Sequence, residues 1–324
     1  MKRSGRPRVV VLAGGVGAAR LLRGMTNLVP GERLTVVVNT GDDDVFHGLH
    51  VSPDIDTILY TLSGLADTRR GWGLLNDSFA ALAMLGRYGR ETWFQLGDRD
   101  LGTHLFRSER LRARDTLSAV TDAQRRALGV GARVLPMSDD PVRTIVETQT
   151  GRRSFQEYLV RDRARESVRA IRYSGARAAR PAEGVIAAIE QASLAVIAPS
   201  NPFVSIGPIL AVPGIRQALR RADAPVIAVS PLIGGRTVKG PADRMMRALG
   251  YRPRPPGLAR IYGDFLDGMV IDNADQAYAA RLRDDGLGVA VLDTLMSSPV
   301  RSTAVARAVL ELGSASSRQS LLAS

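Results

Sequence analysis

The sequence predicts an α/β protein with a doubly wound, mostly parallel sheet, carrying a helical and antiparallel insertion. Three observations carry that expectation. The apolar runs Arg8–Ala13, Val36–Val38, Leu194–Ala198 and Val226–Val229 are continuous rather than alternating, the pattern of strands covered on both faces. Helical patterns separate most of them, as parallel connections require. Strand after strand also ends in a loop of small, polar or charged residues, which such a sheet gathers at one edge over its topological switch point.

With 324 residues, 45% of them hydrophobic, the chain can bury a large core. No linker separates two halves, so one domain spanning 1–324 is expected, with an inserted subdomain at about 112–180. Cysteine is absent, which excludes disulfides, thiolate metal sites and a cysteine nucleophile. No apolar run approaches the roughly 18 residues that would span a membrane. The opening Met1–Arg6 lacks a signal-peptide shape, so a cytoplasmic protein is expected. The net charge of +12 is almost all arginine, since Lys2 and Lys239 are the only lysines. Those arginines are interleaved with acids and aromatics are only 5%, which points to anionic small molecules rather than a specific nucleic acid.

In order, the first strand turns through Gly14-Gly15-Val16-Gly17-Ala18-Ala19-Arg20 into a helix reaching about Leu28. Glycines there let the backbone approach a phosphate and present amides at a positive helix end. The loop is no dinucleotide fingerprint, because Arg20 replaces the third glycine and Asn39 stands where a ribose-binding acid is expected. Lacking Gly-Lys-Ser/Thr, it is no P-loop either.

The second strand opens into Asn39-Thr40-Gly41-Asp42-Asp43-Asp44, and Ser52-Pro53-Asp54 then marks a helix start with Ser52 as N-cap. Ile55, Ile58, Leu59 and Leu62 form that helix's apolar stripe. Asp54 also suits the helix dipole and Asp42–Asp44 also suit a solvated turn, but Asp56 lies deeper than capping calls for. Together these carboxylates suit a hard cation or a hydroxyl that must lose a proton.

Arg69-Arg70-Gly71-Trp72-Gly73 precedes a helix from about Asn76 to Arg87 and a short strand at Thr92–Leu96. Gly97-Asp98-Arg99-Asp100 starts a helix carrying Thr103, His104 and Arg107, with His104 read as structural. Arg99 offers both a hydrogen-bonding fork and a stacking face to an anion or a planar ring. A helix at Leu117–Leu128 and strands at Arg133–Pro136, Thr144–Glu147, Phe155–Val160 and Val168–Ile171 make up the insertion. Beyond it, Pro199-Ser200-Asn201-Pro202 forms a rigid loop suited to reading a base or phosphate. A helix at Pro213–Arg221 and the glycine-rich loop Gly234–Pro241 follow. Strands at Met269–Ile271 and Gly288–Val291 alternate with helices near Ala274–Arg283 and Pro299–Leu312, and Gly313–Ser324 is expected to fray.

Taken together, Gly14–Gly17, Val38–Asp43, Ser52–Thr57, Leu96–Asp100, Leu135–Pro141, Pro199–Pro202 with Ser205–Pro208, and Asp293–Met296 resemble the 2-phospho-L-lactate transferase family. That resemblance implies a Rossmann-like fold, a homodimer, Mg²⁺ and a step in coenzyme F-420 biosynthesis. A phospholactate-type group (2-phospholactate, or its phosphoenolpyruvate or phosphoglycerate equivalent) would pass from its guanosine diphosphate ester to the hydroxyl of the deazaflavin alcohol 7,8-didemethyl-8-hydroxy-5-deazariboflavin, releasing GMP. By the same resemblance, the deazaflavin contacts fall on Asp56 and Arg99, and the metal ligands on Asp43 and Asp56 with Asp42 and Asp54 as alternatives. The nucleotide contacts fall on Gly14, Gly15, Gly17, Asn39, Ser200 and Asn201. Asp56 is the expected orienter or general base. A non-catalytic nucleotide or sugar-nucleotide regulator is the alternative of another class.

Overall fold

The computed structural model describes residues 8–322, so the opening Met1–Arg6 stretch lies outside the described residues. Seven strands build the main sheet: β1 (Val9–Ala13), β2 (Leu34–Val38), β3 (Arg133–Pro136), β4 (Leu194–Ile197), β5 (Val226–Val229), β6 (Gly268–Asp272) and β7 (Gly288–Leu292). Their order is β7-β6-β5-β4-β1-β2-β3, and every neighbouring pair is parallel. The chain steps outward from β1 to β3, returns to place β4 beside β1, and then steps the other way. The switch point therefore lies between β1 and β4.

The continuous apolar runs are explained by two cores, one on each face. Val10, Leu12, Val37, Ala195 and Ile197 point to one face, where Ile189, Ile206, Ile215, Leu258 and Leu282 cover them. Val9, Val11, Val36, Val38 and Val196 point to the other. That second face is covered by α1 (Gly15–Met25) through Leu21 and Leu22, by α2 (Pro53–Leu62) through Ile55, Ile58 and Leu59, and by the C-terminal helix Pro299–Leu322 through Val305 and Val309. A one-residue change of register would exchange these two sets, so the pattern fixes the pairing.

Several elements depart from the sequence expectation. Thr92–Leu96 forms no strand; Trp93 and Phe94 instead pack on Phe46 of the hairpin Asp44–Phe46/Leu49–Val51, with Phe94 stacked at 3.8 Å. Phe155–Val160 is not extended either. Glu157–Arg161 is a π-helical turn that lets Phe155 and Tyr158, three apart, enter one small core. The helix expected from Asn76 is α3 (Ala80–Arg87), the next is α4 (Asp100–Arg112), and α5 (Leu117–Ala127) follows. Arg133–Pro136 belongs to the parallel sheet as β3. The antiparallel part is a separate sheet of Arg143–Glu147 between Arg152–Ser154 and Ala170–Ser174. The C-terminal helix continues past Leu312 to Leu322 rather than fraying there, and the last two positions of the stretch expected to fray lie outside the described residues. Among the described residues, no helix is long and apolar enough to cross a membrane.

Two glycines of the first loop are demanded by packing. A Cβ on Gly17 would lie 2.3 Å from the Pro199 carbonyl oxygen, and one on Gly14 would lie 2.5 Å from Asp54 Oδ2. Gly17→Ala is expected to cost about 1–3 kcal/mol in denaturant unfolding, because backbone rather than a movable side chain blocks the space.

Candidate functional site

Three loops meet at the switch point, at the carboxyl ends of β1, β2 and β4. Gly15 adopts φ +73°, and a Cβ there would find only Asp54 Oδ1, at 3.9 Å. It is the glycine of the loop that leaves its backbone approachable, at the start of α1. The Ser200 hydroxyl donates to the Gly14 carbonyl at 2.8 Å and so ties the third loop to the first.

Asn39 organises the carboxylates. Its side-chain amide donates to Asp42 Oδ1 at 2.8 Å, to Asp54 Oδ2 at 2.9 Å and to the Val204 carbonyl at 3.2 Å. Its carbonyl accepts from the Gly41 amide at 2.8 Å. The amide of Gln156, from the insertion, donates to the second oxygen of Asp42 at 3.0 Å. Asp43 Oδ2 accepts from the Ser52 hydroxyl at 2.7 Å, so Ser52 serves Asp43 and makes no side-chain cap. The other oxygen of Asp43 is buried and has no partner. Asp42, Asp43 and Asp54 are thus buried, and the solvated-turn reading holds for neither Asp42 nor Asp43. Asp44 instead opens the hairpin.

Burial raises the proton affinity of all three. It lifts Asp43 to about 8 and Asp54 to about 6; it also drives Asp42 upward, with the charges of Asp54 and Asp43 adding to the effect. Burial, followed by the Arg107 charge, lowers His50 to about 4, leaving a neutral ring beside Asp43.

An acid with a raised folded pKa binds its proton when folded at pH values where the unfolded chain has released it. Its contribution to stability therefore falls as pH rises from about 4 to about 8, by up to about 1.4 kcal/mol per pH unit, and is level above that. With chelator present, the stability of Asp43→Asn relative to the parent should accordingly grow between pH 5 and pH 8. Urea unfolding of the pair at both pH values checks this.

Asp56, two residues beyond Asp54 in the first turn of α2, belongs to a second buried network. Both of its oxygens accept from the Arg107 guanidinium, one of them from Nη1 at 3.1 Å. Arg107 is 0% exposed and also reaches Gln124 Oε1 at 3.3 Å. His104 places Nδ1 3.7 Å from Asp56 and Nε2 3.3 Å from Asp100, the latter off the line of a hydrogen bond. Asp100 also accepts from the Tyr60 hydroxyl at 2.6 Å. The sequence did signal this network: Asp100, His104 and Arg107 recur at helical spacing on the face of α4 that turns out buried.

The remaining expected site residues are placed as follows. Arg99 is exposed at the start of α4, where its guanidinium donates to the Leu75 carbonyl at 2.9 Å. Asn201 uses its side-chain carbonyl to accept from the Phe203 amide at 3.0 Å, holding the turn after β4. Among the described residues, no three His, Asp or Glu side chains form a ready metal cage. The donor set nonetheless fits Mg²⁺, which takes one or two carboxylates and completes its shell with water and substrate phosphate oxygens. Asp43, whose second oxygen is buried and has no partner, is the carboxylate that would be offered to such an ion.

The chain matches the family model described as 2-phospho-L-lactate transferase CofD over residues 9–308. It is 44% identical over 311 residues to a phosphoenolpyruvate transferase of Streptomyces griseus, covering 94% of this chain and 98% of that protein. A phosphoenolpyruvate transferase of Mycolicibacterium smegmatis is 42% identical over 330 residues, covering 95% and 99%. A 2-phospho-L-lactate transferase of Methanosarcina mazei is 39% identical over 303 residues, covering 94% and 99%. A crystal structure of a Bacillus halodurans protein superposes with a TM-score of 0.64 at 18% identity, over 94% of this chain and all of that one, and so shares the fold. With the model matched from β1 into the C-terminal helix, the chain belongs to the 2-phospho-L-lactate transferase CofD family.

Proposed function

We propose that this transferase moves a phosphoenolpyruvate-type group from its guanosine diphosphate ester to the primary hydroxyl of 7,8-didemethyl-8-hydroxy-5-deazariboflavin, releasing GMP, in coenzyme F-420 biosynthesis. We place it in the cytoplasm as a Mg²⁺-dependent homodimer. The choice of acid is supported by the Streptomyces and Mycolicibacterium relatives, which carry the phosphoenolpyruvate name at 44% and 42% identity, against 39% for the Methanosarcina phospholactate enzyme. The observation that carries the reading is the buried, unpartnered oxygen of Asp43 within the carboxylate cluster that abuts the glycine loop.

In the reaction, the deazaflavin hydroxyl oxygen bonds to the phosphorus that bears the acid. The bond from that phosphorus to the bridging oxygen breaks, GMP departs with the electron pair, and the hydroxyl proton passes to a base. Such transfers depend on positioning and charge neutralisation more than on covalent help. Gly14, Gly15 and Gly17 shape the backbone cradle for the diphosphate. Ser200, Asn39 and Asn201 hold that cradle's loops together and contact the nucleotide. Asp43, with Asp42 and Asp54 beside it and Asp56 in the same first turn of α2 as Asp54, would hold Mg²⁺, which when bound offsets phosphate charge. Asp56 receives or orients the hydroxyl proton while Arg107 keeps its carboxylate aligned. Arg99 offers its guanidinium face to the deazaflavin ring.

The test offers the guanosine diphosphate esters of enolpyruvate, lactate and glycerate in turn, with Mg²⁺ and the deazaflavin alcohol, following both products by mass. Product with the enolpyruvate ester is expected. GDP binding without product from any ester would turn the reading to a nucleotide-binding regulator.

A further inference from the structure

The stretch Arg69–Gly73, through Gly71, Trp72 and Gly73, closes a second cleft beside the glycine loop at Val16. This cavity of about 340 Å³ lies between Val16, Arg20 and Arg23 of α1, Thr57 and Thr61 of α2, and the loop bearing Trp72. Thr57 follows Asp56, and Val16 belongs to the glycine loop, so the cleft adjoins the site through both helices.

Arg20 and Arg23 are the cations of its lining, and Arg70 and Lys239 stand beside it. The Lys239 ammonium donates to the Arg70 carbonyl at 3.1 Å at the cleft's rim, 2.5 Å from where a Cβ on Gly71 would stand. Lys239 is exposed overall, and partial burial of its side chain, followed by the charge of Arg20, lowers its proton affinity. Arg70 stacks on Trp72 and Phe79, with its guanidinium carbon 4.9 and 5.0 Å from the ring centres. Asp67 is the one acid lining the cleft, and its oxygens are engaged by the Arg69 and Arg70 amides at 2.9 and 3.0 Å and by Arg70 Nε at 3.7 Å. Two buried donors, Arg23 Nε and Arg70 Nη1, have no partner. Arg20 and Arg23 in the lining, with Arg70 and Lys239 beside it, face one carboxylate that is already engaged, and the unmet donors suit an anion.

We infer that this cleft receives the carboxylate end of the transferred three-carbon acid, with Arg20 and Lys239 as its specificity-determining residues. The inference rests on the proposed transfer for the identity of the acid. Arg20 and Lys239 would meet the carboxylate, while Thr57, Thr61 and Met296 line the same space and face its small substituent. The acid is thereby held one helical turn from the carboxylate cluster, with the nucleotide on the opposite side of the loop.

Trp72 reports on the cleft directly. In a Trp93→Phe background it is the sole tryptophan, so its fluorescence can be titrated with the enolpyruvate ester of GDP and, separately, with GDP. The ester is expected to bind tighter than GDP. Arg20→Gln and Lys239→Gln are each expected to weaken the ester by about tenfold or more while leaving GDP affinity unchanged. Equal weakening of GDP would overturn the assignment in favour of a diphosphate site, and unchanged affinity for both would overturn it outright. If the parent binds neither nucleotide, the transfer reading fails and free phosphoenolpyruvate becomes the probe. Quenching of Trp72 that Arg20→Gln abolishes would then uphold the cleft as an acid site, and absence of quenching would overturn it.

Discussion

Asp56→Asn should slow transfer by about 10²–10⁴-fold, the range typical of losing a positioned acid–base group. It should also destabilise the fold by about 3–5 kcal/mol, because Arg107 is left fully buried with its charge uncompensated. The two effects separate in a double variant. Asp56→Leu with Arg107→Met replaces the pair by apolar side chains of similar volume, which is often neutral or stabilising. That protein is expected to regain most of the lost unfolding free energy and to remain inactive. Turnover near the parent's in Asp56→Asn would remove Asp56 from the mechanism, whatever its effect on stability.

Asp43→Asn is expected to lower transfer by about 10²–10³-fold, as loss of one charge-stabilising contact does in preorganised sites. Its effect on stability should have the opposite sign from that of Asp56→Asn. Asp43 is buried, has one oxygen without a partner, and is pushed up to about 8 by that burial. Asparagine keeps the acceptor for Ser52 and removes a buried charge. A more stable but inactive variant is the behaviour of a residue retained for function against stability. Thermal unfolding in chelator at pH 8, alongside the transfer assay, reads both quantities. A protein both less stable and fully active would mean that Asp43 is structural.

The fold was legible because its signal is local. Continuous β-branched runs such as Val36–Val38 announce strands buried on both faces, and the structure covers both. The carboxylates were legible for a related reason: Asp42, Asp43, Asp54 and Asp56 lie within fifteen residues of one another on a single strand–loop–helix unit. Partners supplied by distant segments were not. Gln156 reaches Asp42 across 114 positions, and Lys239 reaches Arg70 across 169. No periodicity encodes such meetings. The elements misread, Thr92–Leu96 and Phe155–Val160, are aromatic-rich segments whose β propensity yields to a neighbouring ring or small core. Arg107 falls between these cases, since its place on a buried polar stripe of α4 was visible and its pairing with Asp56 was not.

Whether Asp43 and the glycine loop together form a metal–diphosphate site can be measured without substrate chemistry. Mn²⁺ in place of Mg²⁺ gives a free-ion paramagnetic resonance signal that binding removes, so it can be titrated with and without GDP. Binding is expected to be weak alone and, with GDP present, about one tightly held ion per chain is expected, since the diphosphate completes the shell. Asp43→Asn is expected to abolish the GDP-dependent uptake. Uptake that is identical in parent and variant, or indifferent to GDP, would contradict a shared metal–diphosphate site.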